Sequence, residues 1–188
     1  MDYIANRDGV AAELAKNVKG EKFEHSIGVE QTAIALARRY GVDMDKAGFA
    51  GLLHDYTKQK DNIALAKKYN LPYITEKTLH GHTAAVVLAD KGLVMDTEVL
   101  SAIAWHTTGR AGMTMLEKVI YVADYIEPNR DFEGVERVRA LAFENIDKAV
   151  LMGVRESLEN IIERKSLIDM DSVKAYNYYR KLFAEEDI

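Results

Sequence analysis

The segment "AGFAGLLHDYTKQK", residues 47–60, contains an apolar run that ends directly in a histidine and an aspartate. Residues 49–53 have the composition of a buried helix, and His54 and Asp55 follow where that helix is expected to stop. Lys58 stands three positions after Asp55. The chain has only 5 histidines, so the placement of one beside a carboxylate raises the question of what the pair binds.

Helical periodicity recurs along nearly the whole chain, and the alternating runs that are typical of strands do not. We therefore predict an all-α fold, a helical bundle. Asp43 and Asp96 stand at expected helix starts, while Gly41 and Pro128 stand at expected helix ends. The predicted helices are 7–18, 22–40, 45–56, 62–69, 79–91, 97–106, 113–126, 135–143, 146–164 and 171–183.

The length of 188 residues is that of one ordinary domain. No repeat or linker divides the chain, so we expect a single domain over 1–188. The motifs described below lie in a core at about 20–155, followed by C-terminal helices at about 156–188. The segments expected to be irregular are 70–78, 107–113 and 127–134.

Composition excludes several classes of protein. The formal net charge is -5, which argues against sequence-independent binding of nucleic acid. Cysteine is absent, so any metal site must use histidine and carboxylate, and a reducing interior is the natural environment. The N-terminal residues have no apolar signal-like core, and no stretch approaches the roughly 18 apolar residues of a membrane span. We expect a cytoplasmic protein without a membrane partner.

Further polar side chains fall on apolar helical faces. Asp124 continues the stripe of Leu116 and Ile120, where a carboxylate is costly to bury unless it is paired or bound to a metal. His25 and His106 likewise share apolar faces of their own helices. The simpler alternatives are core histidines bonded to carbonyl groups and an ion pair between Asp124 and a basic neighbour.

His80 and His82 are alternative candidates for one place in the same cluster of side chains. Residues two apart point about 200° apart on a helix, so at most one of the two should face a given centre. Periodicity leaves this choice open.

Helices that pack around one core would bring the candidates together. Imidazole and carboxylate groups without cysteine suit Fe, Mn, Co or Zn. Six ligands exceed the need of one catalytic ion and fit a two-metal centre of the kind that transfers phosphoryl groups. No P-loop pattern occurs, which disfavours ordinary NTPase chemistry. The candidates are His25, His54, Asp55, a histidine near position 80, His106 and Asp124.

The order His25, His54–Asp55, Asp124 on a helical chain resembles the HD-domain metal-dependent phosphohydrolases. Five stretches narrow the resemblance to the YqeK-type HD proteins, the symmetrically cleaving diadenosine tetraphosphate hydrolases, over about residues 20–155. These stretches are "FEHSIGV" (23–29), "GLLHDYTK" (51–58), "LHGHTAA" (79–85), "AIAWHTTGR" (102–110) and "VIYVADYIEPNRDFEGV" (119–135).

The resemblance implies a centre of two divalent ions, most simply Fe. Asp55 would bridge the ions. His80 is favoured over His82 as a ligand, although His82 stands where the family more usually has proline. The remaining ligands divide between the ions, with His25, His54 and Asp124 on one and His80 and His106 on the other.

The same resemblance gives roles to residues around the metals. Asp55, Lys58, Arg110 and Arg130 are the predicted catalytic residues, the three cations offsetting charge on phosphoryl oxygens. Predicted substrate contacts come from Lys58, Thr107, Gly109, Arg110, Asn129 and Arg130.

The implied activity is symmetrical hydrolysis of diadenosine tetraphosphate to two ADP. An HD phosphohydrolase that acts on a nucleoside monophosphate or a dNTP is the nearest alternative, and a non-catalytic nucleotide-binding helical module is the second. The expected partner is therefore a dinucleoside polyphosphate or another nucleotide, and a homodimer stays open.

Overall fold

The computed structural model describes residues 3–73 and 75–185, and over these residues it consists of α-helices and irregular connections without a strand. The predicted all-α fold is therefore confirmed. Residue 74 of the predicted irregular segment, and residues 1, 2 and 186–188 of the predicted domain, lie outside the described residues. The helices are α1 (Tyr3–Ala15), α2 (Glu21–Tyr40), α3 (Met44–Leu53), α4 (Asn62–Tyr69), α5 (Glu76–Asp90), α6 (Thr97–Trp105), α7 (Met115–Ile126), α8 (Val135–Glu144), α9 (Ile146–Glu163) and α10 (Met170–Leu182).

The predicted helix ends follow the expected cap chemistry. The Asp43 side chain accepts hydrogen bonds from two backbone N–H groups at the start of α3, and Asp96 does the same for α6. Gly41 closes α2 in a left-handed conformation with φ 69°. Pro128 stands two residues after the end of α7. These caps define the ends of the helices that carry the site.

Some predicted boundaries are wrong. α5 begins at Glu76 rather than at 79, because the Thr75 side chain accepts a hydrogen bond from the N–H of Thr78 and caps the helix earlier. α3 ends at Leu53 rather than at 56, and residues 54–57 form a turn. The His54–Asp55 pair therefore directly follows the helix.

The helices that carry the site pack against one another at the centre of the fold. α2 packs on α3 and α7, α6 packs on α5 and α7, and α9 packs on α7. One continuous cluster of buried apolar side chains includes Val10 of α1 and Tyr179 of α10, so the C-terminal helix shares this core. Division into domains is not decided by this packing, and the single domain stays a prediction. Among the described residues, none of the helices combines the length and apolar character needed to cross a membrane.

Two glycines allow close approach of helices near the site. A Cβ atom on Gly51 of α3 would lie 3.0 Å from the Cα atom of Glu30 in α2. A Cβ atom on Gly81 of α5 would lie 2.8 Å from the carbonyl oxygen of Ala104 in α6. These close approaches bring the end of α3 to α2, and α5 to the end of α6.

Candidate metal centre

The six predicted ligands come from five helices and from the residues that directly follow them. The side chains of His54, Asp55, His80 and His106 are buried. His25 and Asp124 are half-buried and lie toward the surface of the site. His25 is in α2, His54 and Asp55 follow α3, His80 is in α5, His106 follows α6, and Asp124 is in α7.

One half of the cluster lies between α2, α3 and α7. Nε2 of His25 is 3.2 Å from Nε2 of His54 and 3.0 Å from Oδ1 of Asp124. His54 Nε2 is 3.9 Å from the same Asp124 oxygen and 3.7 Å from Oδ2 of Asp55. These four side chains therefore present their ligand atoms to one small volume.

The other half lies where α5 approaches the end of α6. Oδ1 of Asp55 is 3.1 Å from Nε2 of His80 and 3.5 Å from Nε2 of His106. The two carboxylate oxygens of Asp55 thus face different histidines, since Oδ2 faces His54. Asp55 connects the two halves of the cluster.

The ring orientation of three histidines is determined by the backbone. Nδ1 lies 2.7 Å from a carbonyl oxygen in His54, 2.8 Å in His80 and 2.7 Å in His106, and each carbonyl belongs to the residue three positions earlier. A carbonyl oxygen only accepts, so Nδ1 carries the proton and Nε2 of the neutral ring has a lone pair. All three lone pairs are directed into the cluster.

This donor set fits a divalent metal. Nε2 of His80 and Nε2 of His106 are 3.1 Å apart, and a cation close to both nitrogens would be stabilised by the two lone pairs. Imidazole nitrogen together with carboxylate oxygen is a typical ligand set for transition metals. Three overlapping groups have their ligand atoms within 4.8 Å of one another, namely His25, His54 and Asp55; His54, His106 and Asp124; and Asp55, His80 and His106.

The protonation states of the cluster suit cation binding. Burial lowers the pKa of His54 to about 3 and also lowers the pKa of His80, so both rings are neutral near pH 7. Burial opposes the ionisation of Asp55, yet its pKa lies well below the usual range, and the positive charge of Lys58 at 3.4 Å is one cause. Burial also opposes the ionisation of Asp124, and the hydrogen bond from His25 outweighs it and lowers the Asp124 pKa. Neutral imidazoles and ionised carboxylates are the forms that bind metals.

The structure brings His80, and not His82, to the cluster. The His82 ring instead packs edge to face against the Trp105 ring, with centroids 4.7 Å apart. The two histidines point to different sides of α5, as their spacing of two residues requires.

Lys58 and Thr107 lie at the same centre. Lys58 Nζ is 2.9 Å from His80 Nε2 and 3.4 Å from Asp55 Oδ1. Thr107 Oγ1 is 3.1 Å from Nε2 of His80 and 3.0 Å from Nε2 of His106. Both side chains therefore lie where they could contact a molecule bound at the cluster.

Asn129 and Arg130 line a cleft that opens beside the cluster. The cleft has a volume of about 460 Å³, and His25, Asp55 and Lys58 also line it. Arg130 Nη2 donates to Asp124 Oδ1 at 2.6 Å, and its Nε donates to the Asp124 carbonyl oxygen at 2.9 Å. The cleft thus combines carboxylates at the cluster with cationic side chains beside them.

Gly109 and Arg110 have other partners. The Gly109 N–H donates to the carbonyl oxygen of Trp105 at 2.9 Å. Arg110 donates from Nη2 and Nε to the buried carboxylate of Glu117 at 2.8 and 3.1 Å. Neither residue lines the cleft beside the cluster, and their contact with a substrate stays a prediction.

Sequence reasoning missed Glu127, which is buried beside the cluster. Its Oε1 atom lies 3.1 Å from Nδ1 of His25. The available signal was its spacing of three residues from Asp124, which places both side chains on one side of the chain at the end of α7.

The helices of the described segments and this cluster define an all-α protein with a divalent metal centre. The family model "HD domain" matches residues 23–129, and the chain therefore belongs to the HD-domain family.

Relatives and a solved structure extend the similarity over most of the chain. A protein of Bacillus subtilis named "Bis(5'-nucleosyl)-tetraphosphatase, symmetrical" is 37% identical over 180 residues, which are 92% of this chain and 97% of the relative. A protein of the same name from Staphylococcus aureus is 37% identical over 90% of this chain and 92% of its own length. The crystal structure of a "predicted HD superfamily hydrolase involved in NAD metabolism" from Clostridium acetobutylicum is similar with a TM-score of 0.86 and 34% identity, covering 94% of this chain and 97% of that one.

Proposed function

We propose that this protein hydrolyses diadenosine tetraphosphate symmetrically to two molecules of ADP. The observation that carries the proposal is the convergence of four histidine Nε2 atoms and two aspartate carboxylates beside a cleft with cationic side chains. The names of the relatives, which this chain matches over nearly their whole length, support the same activity.

We propose that the cluster holds two divalent ions, with Fe as the physiological metal and Mn, Co or Zn as alternatives. Asp55 would hold both ions, which is supported by the orientation of its two oxygens toward different histidines. When bound, such ions activate water as a nucleophile near neutral pH and neutralise phosphate charge. His25, His54 and Asp124 would hold one ion, and His80 and His106 would hold the other.

The chain's own cationic groups bind and orient the tetraphosphate. Lys58 lies at the cluster and contributes a point charge, whereas the planar guanidinium of Arg130 can donate two hydrogen bonds to phosphate oxygens. Asn129 and the hydroxyl group of Thr107 add neutral donors. These groups stabilise charge that develops on the reacting phosphoryl oxygens.

Symmetrical cleavage requires a defined register of the phosphate chain. Water attacks one of the two inner phosphorus atoms in line, and the bond from that phosphorus to the central bridging oxygen breaks. One ADP leaves with the bridging oxygen, and the other carries the oxygen from water. Two ADP are then the only nucleotide products.

A labelled-water experiment tests this function. The protein is incubated with diadenosine tetraphosphate and Mn²⁺ or Fe²⁺ in ¹⁸O-water, and the products are analysed by chromatography and mass spectrometry. We expect ADP only, with one ¹⁸O for every two ADP formed, and no product with the Asp55→Ala variant prepared in parallel.

Other products would overturn the proposal. ATP and AMP would show asymmetric cleavage, and hydrolysis of mononucleotides alone in a parallel nucleotide panel would show a different substrate. Full metal content without hydrolysis of any phosphate ester would show a binding module.

A further inference from the structure

His25 differs from the other histidines of the cluster in the partner of its Nδ1 atom. His54, His80 and His106 each donate from Nδ1 to a carbonyl oxygen of the helix that contains or directly precedes the histidine. His25 donates from Nδ1 to a carboxylate, Oε1 of Glu127, at 3.1 Å. The two residues are 102 positions apart in sequence. A tertiary contact therefore orients the His25 ring, whereas a local backbone carbonyl orients each of the other three rings.

Burial and hydrogen bonds fix the position of the Glu127 carboxylate. Its side chain is 2% exposed, and its second oxygen, Oε2, accepts the backbone N–H of Asn129 at 2.8 Å. Both oxygens are thus occupied by donors from two different segments. A neutral amide has only one acceptor oxygen and would leave one of these donors without its partner.

The facing helix leaves room for the carboxylate. A Cβ atom on Gly28 of α2 would overlap Oε2 of Glu127, so this oxygen would have to move. Any residue other than glycine at position 28 would therefore displace the carboxylate from His25.

A further residue holds the backbone around Glu127. The guanidinium of Arg139 in α8 donates to the carbonyl oxygens of Ile126, Glu127 and Arg130, at 2.9, 2.8 and 2.7 Å. The segment that carries Glu127 is thus held independently of the metal cluster.

We propose that Glu127 is a positioning residue, which keeps the Nδ1–H tautomer of His25 so that Nε2 is directed at the cation of the proposed hydrolase. The contact also places negative charge behind the imidazole, which strengthens it as a ligand. Glu127 lies on the Nδ1 side of the His25 ring, away from the Nε2 atom that faces the cluster. Its Oε1 atom also lies 4.0 Å from Nε of Arg130, at the edge of the same cleft. The expected effect of Glu127 on hydrolysis rests on the proposed function. Its expected effect on cation binding does not.

The test compares Glu127→Gln with Gly28→Ala, which displaces the same carboxylate without removing a charge. Matched controls are Glu30→Gln, another buried carboxylate of the core, and Gly153→Ala, another helical glycine. Mn²⁺ affinity is measured by calorimetry, and the His25 tautomer is read by NMR from ¹⁵N shifts of the protein loaded with diamagnetic Zn²⁺.

We expect both test variants to bind Mn²⁺ about 10- to 100-fold more weakly, the usual effect of losing such an outer partner. The His25 ¹⁵N shifts should move from the Nδ1–H pattern toward mixed tautomers, while both controls stay within about twofold of wild type for Mn²⁺. If Glu127→Gln fails to fold, Gly28→Ala supplies the same comparison.

Unchanged affinity and an unchanged tautomer in the folded test variants would overturn the inference, even if the wild type cleaves diadenosine tetraphosphate. Conversely, weakened Mn²⁺ binding in a protein that does not cleave this substrate would support the role of Glu127 and overturn only the proposed function.

Discussion

Replacement of Arg130 by alanine separates substrate binding from metal binding. The Arg130 guanidinium donates to Asp124 at 2.6 Å and also faces the cleft. For the metal, the guanidinium competes as a cation for the Asp124 carboxylate, so its removal should leave divalent-ion content unchanged or higher. For the substrate, at least one charge-assisted hydrogen bond to phosphate is lost.

The size of the effect follows from the exposure of this side chain. A hydrogen bond to a charged group contributes about 1.5–3 kcal/mol, which corresponds to about a 10- to 150-fold change in kcat/KM. The Arg130 side chain is 41% exposed, and solvent weakens its interactions. We therefore expect a fall of about 10- to 30-fold in kcat/KM for diadenosine tetraphosphate.

The assay combines metal analysis with steady-state kinetics. Arg137→Ala, at an exposed arginine of α8, is the matched control and should behave as wild type. Arg130→Lys should restore part of the activity, since it keeps the charge without the planar pair of donors. Loss of metal in Arg130→Ala, or a kcat/KM within twofold of wild type, would refute this reasoning.

Three further predictions concern the metal centre and stability. Asp55→Ala should lose bound metal, and its kcat/KM should fall by at least about 10³-fold, because several kcal/mol of charge stabilisation depend on the ions. An unchanged number of metal ions per chain, measured by elemental analysis, would contradict the bridging role. Arg7→Ala leaves the buried Glu30 carboxylate without two bonds of 2.8 and 2.7 Å, which costs about 3–5 kcal/mol in a buried pair. Because the Arg7 side chain is 36% exposed, we expect about 2–3 kcal/mol and a fall in Tm of about 4–12 °C by calorimetry, and an unchanged Tm would be the contrary result. Hydrogen bonds, with that from Lys16 foremost, lower the pKa of Glu13 from 4.5 to about 2, so its contribution to stability is complete above about pH 4.5 and is lost as the pH falls toward 2. The difference in unfolding free energy between wild type and Glu13→Gln should shrink over that range in denaturant titrations, and a difference independent of pH would exclude the linkage.

Helix number and type could be predicted from the sequence because the apolar period of 3.6 residues and the caps act locally. Asp43, Asp96 and Gly41 are such signals, and the structure confirms them. The start of α5 was predicted too late, since a single side-chain hydrogen bond of Thr75 decides it.

The candidate site was predictable in part. Each of the six ligand candidates interrupts an apolar segment, which identifies it from sequence, but the choice between His80 and His82 needed the family resemblance. Glu127 was missed because its position depends on Gly28, which is distant in sequence. The partner of Arg110, Glu117, was missed because nothing in a loop sequence indicates which carboxylate will bind it. Metal identity, metal number and the residue roles stay predictions.

The meeting of five helices at one cluster has a consequence for the lifetime of the protein in a cell. The unfolded chain keeps these six side chains far apart, so it binds the ions weakly, and ligand binding to the native state alone adds about 2.7 kcal/mol of stability at a free concentration of 100 times Kd. Metal starvation would therefore lower the stability of the fold as well as the activity, because it would raise the fraction of chains that open and become accessible to proteases. Cellular metal supply would then set the amount of this protein as well as its activity.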